Sequence, residues 1–224
     1  MRRLRRAIVV AALVFLVVGV VGSFATTGTA GRQPAAQTGV TLVVLPTTFT
    51  NTSQRMTVYG SVSTGKAGEK VTVQFKACGL YPIQFRDALE TTTTAGGGYS
   101  FAELQPFNLG VSGVFRALSG NSVSAEIPVK QRAFVSLWRH PSGRSYRVSV
   151  WGKVSFWRRY VLLQRFERRR GVWITVRRLV LTEGLGRTKP FRPGLPKGTR
   201  IRAVLPLSQA RPCYLAGYSQ IWTT

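Results

Sequence analysis

The chain has 224 residues, 44% of them hydrophobic, and carries 32 Lys and Arg against only seven Asp and Glu, for a net charge of +25. Two cysteines and a single histidine exclude a structural zinc site built from those residues. So strong a cationic excess points away from acidic-site chemistry and toward anionic partners.

The amino terminus opens with Arg2, Arg3, Arg5 and Arg6, followed by an unbroken apolar run from Ala7 to Val21. Small residues then recur in Ser23-Phe24-Ala25 and Gly28-Thr29-Ala30, either of which fits a signal-peptidase site. Residues 1–30 read as a helical secretory signal peptide. An uncleaved membrane anchor is the alternative, the run being at the short limit for spanning. Either way, the remainder is expected outside the cytoplasm, extracellular or at the cell surface. Gly28–Gly39 is polar and aperiodic, and residues 31–39 form the linker. About 185 residues follow, enough for two domains of about 90 residues each.

Between residues 40 and 131 the pattern alternates with period two and breaks at turn residues. Thr41–Leu45 is stopped by Pro46; Met56, Val58 and Gly60 alternate with Thr57, Tyr59 and Ser61. Val71, Val73, Phe75 and Ala77 make one face of a third strand, with Thr72, Gln74 and Lys76 on the other. Thr91–Thr94 leads through Gly96-Gly97-Gly98 to Tyr99 and Phe101. Phe115 and Ala117 alternate with Arg116 and Leu118, and after the turn Ser119-Gly120-Asn121 a last strand covers Ser122–Val129. Short strands at this spacing without a helical period predict an antiparallel sandwich.

Residues 132–224 repeat the order. Val58-Tyr59-Gly60 becomes Val150-Trp151-Gly152, Val73-Gln74 becomes Leu163-Gln164, and Arg116-Ala117 becomes Arg202-Ala203. Each match is short; their shared order is what indicates an internal duplication. Arg165 falls where Phe75 stands, which a bulge or an outward-facing residue would explain.

The segments VTVQFKACG (Val71–Gly79), TTTTAGGGYSF (Thr91–Phe101), FRA (Phe115–Ala117) and LPKGTRIRAVLPLSQARPCYLAGYS (Leu195–Ser219) resemble the tandem immunoglobulin-like repeats of secreted bacterial proteins. The resemblance covers roughly Val40 to Trp222. It implies an all-β fold of two tandem Ig-like antiparallel β-sandwiches, residues 40–131 and 132–224, with an adhesive, spacer or envelope role and no catalytic residue.

The second repeat departs from that pattern in its charge. Residues 39–131 hold seven basic and five acidic residues, whereas residues 132–224 hold twenty basic and two acidic ones. The densest run, RFERRRGVWITVRR, predicts a hairpin with Arg168, Arg169 and Arg170 in its loop. With Arg165, Arg177 and Arg178 on or beside the strands, these six are expected to form one anion-binding patch. Crowded guanidinium groups repel one another unless anions are near. Outside a bacterial cell, the anions would be wall polymers, lipid head groups of a membrane surface, or extracellular DNA. A solvated arginine-rich face is the plain alternative.

All five tryptophans, Trp138, Trp151, Trp157, Trp173 and Trp222, lie in the second repeat. Such residues are ordinarily sandwich core, though interleaved with arginine they also stack on sugars or bases. Trp157, at a turn in SFWRR, is the one expected to be exposed. No motif for specific nucleic-acid recognition is present.

Catalysis finds little support. His140 adjoins Pro141 in a turn, Asp87 is the only aspartate, and Glu69, Glu90, Glu103, Glu126, Glu167 and Glu183 are scattered. Gly96-Gly97-Gly98 precedes a strand and has no phosphate-loop lysine after it. The expectation is therefore an exported, non-enzymatic envelope protein, with no cofactor and no small-molecule substrate, whose basic second repeat contacts an anionic polymer. A structural or adhesion module that binds a protein partner by strand addition at an open edge is the competing class.

Each repeat holds one cysteine, and an exported chain meets an oxidising compartment. If the strands alternate as in an Ig-like sandwich, Cys78 ends a strand at the pole facing the second repeat. Cys213 follows Arg200–Leu205 at the pole facing the first. A Cys78–Cys213 disulfide is predicted, against two free thiols or a cysteine-linked dimer.

Overall fold

A computed structural model describes residues 39–224, apart from 51–53, 80–82, 105–109, 142 and 144. The expected signal or anchor segment, residues 1–30, and all but the last residue of the expected linker, 31–39, lie outside the described residues. No helix among the described residues is long and apolar enough to cross a membrane.

The described chain is all-β, in several sheets. The amino-terminal half contributes β1 (Val43–Leu45), β2 (Thr48–Phe49), β3 (Met56–Ser61), β4 (Lys70–Ala77), β5 (Arg86–Thr92), β6 (Gly98–Leu104), β7 (Gly113–Ser119), β8 (Ser122–Val123) and β9 (Ile127–Gln131). They form a three-stranded sheet β1-β3-β6 and a larger one ordered β2-β9-β7-β4-β5, with β8 also on β7. The carboxy-terminal half contributes β10 (Phe134–Arg139), β11 (Tyr146–Trp151), β12 (Tyr160–Glu167), β13 (Val172–Val180) and β14 (Arg200–Leu205). A single short helix α1 (Leu207–Ala210) follows, then β15 (Gly217–Tyr218) and β16 (Trp222–Thr223). β10 pairs with β11, and the main sheet runs β13-β12-β14-β15, with β16 also on β14.

Alternation places the core. On β4, Val71 and Val73 are fully buried; on β12, Val161 and Leu163 are; on β14, Ile201, Ala203 and Leu205 are. Burying each of these Val, Leu and Ile side chains stabilises the fold by about 1.5–3 kcal/mol before entropy is charged. The buried faces of both halves join one continuous cluster, which also takes in Val111, Ala133, Cys213 and Tyr214.

Hydrogen-bond geometry recurs between the halves. Arg116 Nε donates to Gln74 Oε1 at 2.8 Å, and Arg202 Nε donates to Gln164 Oε1 at 2.9 Å. The Ala117 amide donates to Ser124 Oγ and the Ala203 amide to Ser219 Oγ, both at 2.8 Å. The register slips between Val73 and Gln74 against β5, and between Leu163 and Gln164 against β13. Because this bulge is present in both halves, it does not account for the arginine at 165. Arg165 lies in register with buried Ile201, as Phe75 does with Phe115. Its side chain is 40% exposed, and its guanidinium reaches Glu167 Oε2 at 3.3 Å.

Two elements differ from the sequence expectation. β5 begins at Arg86 and ends at Thr92 instead of covering Thr91–Thr94. It is an edge strand, and its exposed charged residues hide the alternation. The Ser122–Val129 strand divides into β8 and β9, and β9 pairs in parallel with β2, in an otherwise antiparallel set. β10 pairs along its whole length with β11.

Candidate anion-binding face

The hairpin between β12 and β13 closes at the pair Glu167–Val172. Gly171, at φ +65°, supplies the left-handed residue that the turn needs, and Arg168, Arg169 and Arg170 are exposed at its tip. Arg165, two residues before the closing pair, is tied to Glu167. Arg177 and Arg178 are in register with Leu163 and Leu162, about 20 Å along the strand from Val172. Neighbours on a strand point to opposite faces. Arg178 lies 3.5 Å over the Tyr160 ring, while Arg177 Nη1 reaches the Arg192 carbonyl oxygen at 3.5 Å. The fold thus groups Arg168, Arg169 and Arg170 at the tip with Arg165 beside them, and carries Arg177 and Arg178 to the other end of β13.

Strand pairing assembles a different group on the face opposite the core. Phe166 and Trp173 are directly opposite each other on β12 and β13, with ring centroids 5.3 Å apart. Arg200 sits 5.1 Å over Phe166, and Arg202, two residues along β14, sits 4.3 Å over Trp173. Arg202 is also 5.1 Å from the Tyr218 ring, on which Arg132 lies at 5.3 Å. The result is a continuous ladder: Arg200, Phe166, Trp173, Arg202, Tyr218, Arg132. Guanidinium planes stacked on rings lose little further freedom on binding, and each keeps a planar fork of N–H donors.

The ladder guanidiniums are further positioned by neutral acceptors. Arg202 is held by Gln164, and Arg132 Nη1 donates to the Ala216 carbonyl oxygen at 2.5 Å. Burial lowers the Arg202 pKa, which the nearby Tyr218 opposes; an arginine remains a cation all the same. The two carboxylates of this half are engaged elsewhere, Glu167 with Arg165 and Glu183 with Arg147 at 3.2 Å.

Trp157 is 51% exposed, with Arg158 at 4.1 Å over its ring; Trp151 is equally open and faces Arg187 at 5.2 Å. Trp222 turns inward and donates Nε1–H to the Leu137 carbonyl oxygen at 2.5 Å. His140 stacks beside Trp138. Among the described residues, no group of three His, Cys, Asp or Glu side chains is placed to hold a metal ion.

The two cysteines, 135 residues apart in sequence, form the Cys78–Cys213 disulfide, with Cα atoms 5.3 Å apart. The Cys78 amide donates to the Ser112 carbonyl oxygen at 2.9 Å, and the Ser112 amide donates to that of Cys213 at 3.2 Å.

The ladder escaped the sequence reading because its members come from five separate places in the chain. Arg200 and Arg202 on one face of an alternating strand were its only local signal. No protein-family model matches this chain, and comparison with curated proteins finds no significant match.

Proposed function

We propose that this chain is an exported, non-enzymatic component of a bacterial cell envelope, built as two tandem Ig-like antiparallel β-sandwiches over residues 40–131 and 132–224. The recurring Gln–Arg and Ala–Ser hydrogen bonds and the matching bulges support the tandem arrangement. In this reading the amino-terminal half is a near-neutral spacer and the carboxy-terminal half a basic contact module for anionic envelope polymers. The observation that carries it is the segregation of charge: twenty basic residues against two acids in residues 132–224, with both acids already paired.

The test is retention of the mature chain on isolated wall material and on a heparin matrix at low and high salt. Retention should fall steeply as salt rises, and changing Arg168, Arg169 and Arg170 to Ser should weaken it without altering the fold. Retention that ignores salt would sink the reading.

A second reading, docking of a protein strand, draws on one feature. β13 is an edge strand of its sheet and exposes Val172, Val176 and Val180. Arg177 and Arg178 on the same strand oppose it, since edge cations discourage strand addition. Salt-independent capture of a partner that the exchange Val176→Pro abolishes would favour it.

A further inference from the structure

We propose that the outer face of the β13-β12-β14-β15 sheet is a receptor for a phosphodiester polymer of the polyol-phosphate type, with Arg200, Arg202 and Arg132 holding successive phosphates and Phe166, Trp173 and Tyr218 acting as their fixed supports. This rests on the reading above that the basic half contacts an anionic polymer, and it names the face and the ligand chemistry.

Three observations lead to it. The first is the occupation of the ring faces. Trp173 has Arg202 over one side and Phe166 against it, and Tyr218 is approached by both Arg202 and Arg132. The guanidiniums over Phe166 and Trp173 compete with a base or sugar ring for those faces, while Tyr218 stays 48% exposed. What the ladder offers a ligand is N–H forks, and these match the paired oxygens of an oxyanion.

The second is spacing. Arg200 and Arg202 share one face of β14, so their Cα atoms are about 7 Å apart. Two residues of extended backbone contain the same number of chain bonds as one glycerol-phosphate repeat, P–O–C–C–C–O. An extended polyol phosphate therefore presents successive anions at the spacing of Arg200 and Arg202, and Arg132 lies beyond them across the Tyr218 ring. A pyranose-linked uronate chain has a different repeat, set by rigid rings, and loses this register.

The third is electrostatic complementarity without internal competition. Glu167 and Glu183 are bound to Arg165 and Arg147, while the ladder arginines are oriented by rings, an amide oxygen and a carbonyl oxygen. Neutral partners position a guanidinium without cancelling its charge. The Arg168-Arg169-Arg170 loop, at the Phe166–Trp173 end of the ladder, adds charge that steers a polymer toward it.

The experiment titrates the mature full-length chain with synthetic poly(glycerol phosphate), measured by calorimetry. Polygalacturonate of equal charge, an abasic deoxyribose-phosphate oligomer and oligothymidylate are the comparison ligands. Poly(glycerol phosphate) should bind more tightly than polygalacturonate. The pair Arg200→Gln and Arg202→Gln should weaken it by about tenfold or more and flatten the slope of log K against log salt by about 1–1.5. Arg200→Lys with Arg202→Lys keeps the charge but loses the fork and the stacking, and it too should lose several-fold affinity. Arg200→Gln alone, at an exposed site, keeps the question answerable if Arg202→Gln fails to fold.

Binding of every polyanion with the ladder variants unimpaired would overturn this proposal and leave the broader function standing. Equal affinity for polygalacturonate would overturn the spacing argument and with it the ligand class. Tighter binding of oligothymidylate than of the abasic oligomer would show base recognition and overturn it as well. Failure to bind any polyanion would remove both this proposal and the function it rests on.

Discussion

Tyr214 donates its hydroxyl hydrogen to the Gly110 carbonyl oxygen at 2.6 Å while accepting from the Lys153 amide at 2.7 Å. One buried side chain from the end of the chain thus ties a loop of the amino-terminal half to the loop after β11. Tyr214→Phe removes both bonds and leaves a carbonyl and an amide short of a partner. The expected cost is about 1–3 kcal/mol in denaturant unfolding. A midpoint equal to that of the parent chain would show that water replaces the hydroxyl without loss.

The disulfide next to it closes a span of 135 residues. Chain-entropy reasoning assigns such a closure about 5 kcal/mol, less any strain. Changing both cysteines to Ser should lower the thermal midpoint markedly. The fold itself should persist, because the Leu215 amide still donates to the Gln131 carbonyl oxygen at 2.9 Å and the Ala133 amide to that of Leu215 at 3.1 Å. Peptide mass spectrometry without reductant should recover Cys78 and Cys213 in one linked pair. Free thiols or a linked dimer would contradict this.

Gly60 and Gly152 stand at matching positions in Val58-Tyr59-Gly60 and Val150-Trp151-Gly152, and both lie against a tyrosine hydroxyl. A methyl group at 152 would come within 2.5 Å of the Tyr214 hydroxyl oxygen, and one at 60 within 2.6 Å of that of Tyr99. Gly152→Ala and Gly60→Ala should each destabilise by about 1–3 kcal/mol, as overpacked sites do. Combining Gly152→Ala with Tyr214→Phe should cost less than the sum of the two, since the clash includes the hydroxyl. Additive losses would place the strain elsewhere.

Burial pushes the Tyr99 pKa up to about 12 and raises that of Tyr214, from an ordinary value near 10. The folded chain therefore keeps phenolic protons that the unfolded chain releases. Stability is unaffected by these groups below about pH 10 and falls as pH rises from there toward 12, because the native state then binds more protons than the unfolded one. Tyrosinate absorbance should keep a late component, from Tyr99 and Tyr214, that appears only as the chain unfolds. Loss of the Tyr99 and Tyr214 phenolic protons near pH 10 with the fold intact would refute the assignment.

Much of the strand pattern could be read from residues alone. Val71 and Val73 alternate with Thr72 and Gln74 because one face of the strand is buried and burial selects residue type directly, whereas Leu162 and Val204 make the outer positions of β12 and β14 partly apolar as well. The matches Gln74 with Gln164 and Arg116 with Arg202 were visible as letters in order, without the hydrogen bonds that make them a unit. β5 was harder, because an edge strand is solvated on more sides and its composition follows solubility instead of burial.

Charge segregation, one cysteine per half and the order of the strands were thus decided in the linear chain, since each depends only on residue identity and local period. Which arginines work together was decided by the tertiary structure. Arg168, Arg169 and Arg170 are consecutive, yet Arg177 and Arg178 are drawn away by strand length and face opposite sides. Arg132 is distant in sequence from Arg200 and Arg202, yet all three meet on rings from β12, β13 and β15. Backbone pairing register sets those neighbours, and register is a property of the whole sheet, fixed by which faces are buried together and by the bulge at Leu163 and Gln164.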